Sequence, residues 1–230
     1  MTDRRRFLFN TVRAVAAATT LTPATVALTN AQAVAKPSVY APTYFSSAEW
    51  RFLVAVIGRL IPSGGEGPGG IETGVPEFID RQMEMPYGHG SYWYMQGPFA
   101  EDTPAALGYQ LRFTPRDIYR TGICAINEAC AKKFGKPFAD LANQQQDAVL
   151  HDLEHGTLPL TDLPAGAFFE QLLTNAREGY FADPQYGGNR DMAAWRWIGF
   201  PGARADFTDW IDQAGKAYPY GPVSISGRTS

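Results

Sequence analysis

Apolar residues recur at helical spacing in five stretches of this chain, and no run alternates at period two for long. The first stretch, FSSAEWRFLVAVIGRLIP, is the clearest. Trp50, Leu53, Val54, Ile57 and Ile61 share one side of the expected helix. Ser46 and Glu49 have the Ser-x-x-Glu spacing of a capping box, and Phe45 and Trp50 stand where a hydrophobic staple closes on it. Pro62 stops the helix, and SGGEGPGG reads as a flexible or tightly turned loop. Pro76 opens a short second helix carrying Phe78, Ile79 and Met83. PYGHGSYWYMQGPF has no period and reads as an aromatic loop. Thr114, Pro115 and Asp117 start a long helix with Ile118, Ile123, Ile126 and Cys130 inside, closed by Gly135. Asn143 with Gln146 is read as the cap of the next, which holds Val149, Leu150 and Leu153 and ends at Gly156. A fifth runs from about residue 164 to 179 with Phe168, Leu172 and Leu173. Shorter helical pieces are expected over 192–198 and 207–215. The pattern therefore predicts a single, irregular all-α domain with long Gly-, Pro- and aromatic-rich loops, spanning residues 36–230.

Composition agrees with a real core: 45% of the 230 residues are hydrophobic and 13% aromatic. The formal charge of −3 comes without a basic stripe, which excludes nucleic acid as a natural partner.

The first 35 residues read differently. Arg4 and Arg5 precede Phe7 and Leu8, an alanine- and threonine-rich stretch follows, and AQAVAK offers small residues for cleavage after Ala33 or Ala35. The paired arginines resemble the twin-arginine (Tat) export signal, with Asp3 where Ser or Thr is common and Phe9 where Lys is common. Threonines and Pro23 interrupt the run, which falls short of the ~20 apolar residues of a membrane anchor. Removing residues 1–35 takes away four arginines and one aspartate, a net +3, so the remaining chain carries −6. An acidic protein exported to the periplasm is expected. Cys124 and Cys130, six apart on one helix, lie roughly 9 Å apart along its axis, too far for a disulfide.

Candidate chemistry is sparse. HDLEH places His151, Glu154 and His155 in the H-x-x-E-H order of inverted zinc proteases, the basis for an alternative reading as a free-standing exported hydrolase. Against it, Gly156 ends the helix at once, and no Asp or Glu follows Asp212 to supply a distant third ligand. There is no G-x-S-x-G elbow, no C-x-x-C-H haem attachment and no G-x-G-x-x-G after a strand. Glu101–Asp102 and Asp209–Asp212 read as exposed charges. No catalytic, metal-binding or cofactor-binding residue is assigned.

The most ornate segment is ADPQYGGNRDMAAWRWIGFPG. Asp183 and Pro184 favour a turn, Gly187 and Gly188 permit positive φ, Asn189 can cap the helix carrying Trp195 and Trp197, and Arg190 with Asp191 can tie the loop down by charged hydrogen bonds. Gly187, Gly188, Asn189 and Arg190 either lock their own domain or dock a partner. For Tyr186, Trp195 and Trp197 core packing is the favoured role, although Trp, Tyr and Arg also anchor interfaces. Tyr92, Trp93 and Tyr94 are a second interface candidate, since three adjacent aromatics cannot all face one core.

This segment, extended to EGYFADPQYGGNRDMAAWRWIGFPG, together with RLIPSGGEGPGGIETGVPEFID and FADLANQQQDAVLHDLEHG, resembles the gluconate 2-dehydrogenase subunit 3 family over nearly the whole chain after the leader. The resemblance implies a non-catalytic small subunit of a periplasmic sugar or sugar-acid dehydrogenase. In such complexes the large subunit is a glucose–methanol–choline type flavoprotein that holds the FAD and the substrate site. A multihaem cytochrome c subunit usually passes electrons to the membrane quinone pool. The small subunit serves the folding, stability and Tat export of the flavoprotein, and carries no cofactor itself.

Overall fold

The computed structural model describes residues 40–100 and 103–229. The leader read at residues 1–35 lies outside them. Residues from Tyr40 onward form one compact unit. Its described residues build six α-helices: α1 (Ser47–Leu60), α2 (Val75–Glu84), α3 (Pro115–Phe134), α4 (Asn143–Glu154), α5 (Ala165–Phe181) and α6 (Ala193–Ile198). No strand forms among them. The nearest approach is a pair of isolated bridges, Gly202 with Val223 and Val223 with Thr229. No helix among the described residues is long and apolar enough to cross a membrane. The all-α reading holds.

Local signals explain most helix ends. Ser46 and Glu49 make both halves of their capping box on α1, and Thr114 and Asp117 do the same on α3. Gly135 closes α3 in the left-handed conformation, φ 72°. Four expectations need correction. The buried stripe of α1 is Phe52, Leu53, Val56 and Ile57, with Trp50, Val54 and Ile61 only half-buried. The staple is also rearranged: Trp50 packs against Tyr40, and Phe45 turns edge-on to Tyr119. On α4, Asn143 is the first helical residue rather than the cap. Gln145 accepts from Ala142 N at 3.1 Å, while buried Gln146 donates to Phe138 O at 3.1 Å. Over 207–215 only a single 3-10 turn, Thr208–Trp210, forms. Asp206 accepts from Thr208 N and Oγ1 there, and Ile211 points to solvent, so no apolar face exists to hold a longer helix.

The helix α5 is central: it packs on α2, α3 and α4 and touches α1 and α6. A chain of aromatic contacts crosses the core beside it, from Phe45 to Tyr119 (5.5 Å between centroids), Tyr119 to Phe168 (6.0 Å), Phe168 to Phe52 (6.1 Å) and Phe52 to Phe138 (4.9 Å). Gly122, in mid-α3, makes room for it, since a Cβ there would lie 2.1 Å from the Phe168 ring.

One polar group sits fully buried in this setting. Asp80, on the inner face of α2, takes five hydrogen bonds from the segment before α1. Its Oδ2 accepts from Tyr40 Oη (2.7 Å), Thr43 N (2.7 Å) and Thr43 Oγ1 (3.0 Å). Its Oδ1 accepts from Tyr44 N (3.1 Å) and Phe45 N (3.0 Å). Burial is the main cause, with the Asp80 carboxylate second, that pushes the Tyr40 phenol up to about 12.

Candidate functional site

The segment 182–202 folds back onto α2 and the loop before it, so the two sequence blocks farthest apart in the chain meet. Asp183 starts the connection. Its Oδ1 accepts from Gln185 N (3.1 Å), opening the 3-10 turn Pro184–Tyr186, and its Oδ2 accepts from Ile225 N (2.7 Å), pinning the C-terminal tail. Gly187 then turns with φ 99°. The next residue makes the closest approach, since a Cβ on Gly188 would lie 2.1 Å from the carbonyl oxygen of Gly179 on α5. Only glycine fits.

Asn189 is buried and clamps both sides of the loop. Its Nδ2 donates to Ala182 O (3.0 Å) and its Oδ1 accepts from Ala194 N (2.9 Å), the second residue of α6. It thus supplies a side-chain cap to the Trp195 helix from a left-handed backbone, φ 42°. Asp191 and Met192 are left-handed as well, φ 56° and 54°. Non-glycine residues in that region cost on the order of 1–3 kcal/mol each, so the surrounding bonds must over-determine the loop. Arg190 contributes two: its N donates to Thr73 O (2.9 Å) and its guanidinium pairs with Glu77 (3.1 Å), which Arg81 also holds at 2.6 Å. Asp191 is exposed and makes no such tie among the described residues.

The aromatics divide. Trp195 is buried and donates Nε1 to Phe181 O at 2.8 Å, satisfying a carbonyl at the end of α5. Trp197 is 49% exposed, and Tyr186 is 47% exposed, so core packing does not describe either. The reason is geometric: two residues on a helix turn the side chain by about 200°, so Trp195 and Trp197 face opposite ways. Trp197 lies flat on Gly67 of the SGGEGPGG loop, where a Cβ would come within 2.8 Å of the indole. With Ile61, Pro62, Pro68 and Phe181 it walls an apolar groove of about 340 Å³.

In the aromatic loop Trp93 is half-buried, its ring centroid 6.1 Å from Tyr87 and 4.5 Å from Tyr109. Tyr92 and Tyr94 are 75% and 80% exposed.

The HDLEH residues do not assemble a metal centre. His151, Glu154 and His155 are exposed to solvent around the end of α4. The two imidazoles stack, 4.1 Å between centroids and 22° apart in plane, and Nδ1 of His155 lies 2.9 Å from the carbonyl of His151. Among the described residues no three His, Cys, Asp or Glu side chains are grouped to hold a metal ion. The thiols on α3 are both free. Burial pushes Cys130 up to about 11, and Cys124, near Glu128, is also raised, chiefly by desolvation.

Sequence reading missed the groups that hold this architecture. Glu77, the partner of Arg190, gave no signal. Asp80 had one: a carboxylate four residues after Pro76 and three before Met83, on the apolar face of a short amphipathic helix. The polar set formed by half-buried Tyr87 with buried Tyr119, Gln171 and Asn175 is assembled from residues up to 88 positions apart.

Helices, a strained loop and exposed aromatics define a class of protein whose most constrained segment is given to shape and surface. Residues 47–202 match the family described as gluconate 2-dehydrogenase subunit 3, and the chain belongs to that family. It is thereby a subunit of a multi-subunit dehydrogenase. No curated protein and no solved structure matches it.

Proposed function

We propose that this chain is the non-catalytic small subunit of an exported, FAD-dependent sugar or sugar-acid dehydrogenase of the glucose–methanol–choline type. It holds and stabilises the large flavoprotein subunit and carries it to the periplasm on its own twin-arginine leader, Arg4, Arg5, Phe7 and Leu8. The chain binds no cofactor: FAD belongs to the large subunit, and haem c to a cytochrome subunit where one is present. Membrane association then comes through those partners.

The observation that carries this reading is how the family-matching block is used. Asp183, Gly188, Asn189 and Arg190 are all engaged in fixing backbone, while Trp197 and Tyr186 of the same block stay at the surface. Rigid display of aromatic side chains is what an interface needs, and what a site of chemical turnover does not. Tyr92 and Tyr94 add to the same kind of surface.

The test is co-expression with a candidate flavoprotein from the same source. The tagged chain should retain a larger chain with flavin absorbance, and alone it should show neither flavin nor haem absorbance nor dye-linked dehydrogenase activity. Replacing Arg4 and Arg5 with Lys should leave both chains in the cytoplasm. A partner that still reaches the periplasm would refute the escort role.

A further inference from the structure

A cavity of about 510 Å³ opens between the aromatic loop and α5, away from the 182–202 block. Tyr87, Trp93 and Tyr109 wall it. Glu170 and Glu178 are the charged residues that line it, and both are acidic. They stand on one helix, two turns apart, at the solvent side.

Neither glutamate has an ion-pair partner among the described residues. Elsewhere on the molecule carboxylates are paired: Glu77 with Arg81 and Arg190, Glu49 with Arg120, and Asp147 with Arg59. Glu178 receives one hydrogen bond, from Asn175 Nδ2 at 3.0 Å.

The floor of the cavity is rigid. Tyr119 Oη donates to Asn175 Oδ1 (3.1 Å), Gln171 Nε2 donates to the same oxygen (2.7 Å), and Asn175 Nδ2 donates to Tyr87 Oη (2.9 Å). Gln171 Nε2 also donates to Tyr87 Oη. Two buried amides thus fix the Tyr87 ring, and Tyr87 in turn meets Trp93 edge-on. The wall is organised before anything binds, so little ordering cost remains for a ligand.

An aromatic recess edged by uncompensated negative charge suits an organic cation. A guanidinium suits it better than an ammonium, because it is flat enough to stack on an indole while its edge donates to a carboxylate. Resting on the subunit reading above, we propose that this cavity receives an arginine side chain of the dehydrogenase subunit that the chain holds.

The full chain is titrated by calorimetry with N-acetyl-arginine methylamide and with its neutral citrulline counterpart. Saturable binding of the arginine compound is expected, with citrulline about tenfold weaker or worse. Glu170→Gln and Glu178→Gln should each weaken it about threefold without changing the melting temperature. In the co-purification assay, the double variant should retain about a third or less of the flavin-bearing subunit held by the wild type. Equal binding of the two compounds, no saturation below about 10 mM, or full retention of the partner by the double variant would each overturn the proposal. A wild-type chain that retains no flavin-bearing partner counts instead against the subunit reading, and the arginine titration still decides whether the cavity binds a guanidinium.

Discussion

Replacing Asp80 with Asn exchanges one oxygen for an NH2 group in a fully buried side chain, and is expected to cost several kcal/mol. The amide can offer its oxygen to only one half of the donors. If that oxygen serves Tyr44 N and Phe45 N, the amide nitrogen faces Tyr40 Oη, Thr43 Oγ1 and Thr43 N. The two hydroxyls can rotate and accept, but Thr43 N cannot, and is left donor against donor. The opposite orientation sets two backbone N–H groups against the amide and is worse. The cheaper arrangement loses one buried charge-assisted bond, about 1.5–3 kcal/mol, and weakens the two retained bonds by roughly half. A total of about 3–6 kcal/mol follows. For a unit of this size each kcal/mol moves the melting temperature by about 2–4 °C, so a drop of about 6–24 °C is expected. Thermal unfolding followed by far-ultraviolet circular dichroism, where helix dominates the signal, reads it directly. A variant melting within about 2 °C of the wild type would refute the claim that this carboxylate fastens the segment before α1.

Four further expectations are open to test. Gly188→Ala should destabilise the fold by about 1–3 kcal/mol or more because its Cβ meets a backbone oxygen, whereas Gly166→Ala, with open space at the start of α5, should be neutral or stabilising by up to about 1 kcal/mol in urea titrations. The raised Tyr40 phenol means the folded chain holds that proton more tightly than the unfolded one. Its contribution is full below about pH 10 and is lost as the pH rises through about 12, so Tyr40→Phe should flatten the alkaline fall in stability over that window. Asp183→Ala removes the acceptor of Ile225 N and should make the tail after residue 203 cleavable by trypsin at lower enzyme concentration, with the helical signal unchanged. Native protein should show one thiol reactive to Ellman's reagent, Cys124, with Cys130 appearing only in denaturant; two fast thiols would contradict its burial.

What sequence could show depended on how far the physics reached along the chain. Capping boxes at Ser46–Glu49 and Thr114–Asp117 close within three residues, and both were legible. So was the all-α class, which follows from periodicity alone. Asn189 was legible as a cap for the same reason, since its acceptor serves a residue five positions on. The inward face of α1 was legible only roughly, because Tyr40 arriving from outside the helix took Trp50 and left Phe52 to the core. Aromatic character signals burial on average, which misplaces Tyr186 and Trp197: Tyr186 ends an exposed 3-10 turn, and the turn of a six-residue helix sends Trp195 inward and Trp197 out. Asp80, Glu77 and the cavity under the aromatic loop depend on partners 35 or more positions away, for which a single sequence carries no pairing signal.

The clasp at Asp80 has a mechanical meaning. Tyr40 is fastened to the body several residues ahead of the first helix. A pull applied at Tyr40 meets a cluster of bonds gathered on one carboxylate in the interior before it reaches α1. The helix is therefore shielded from being peeled away turn by turn.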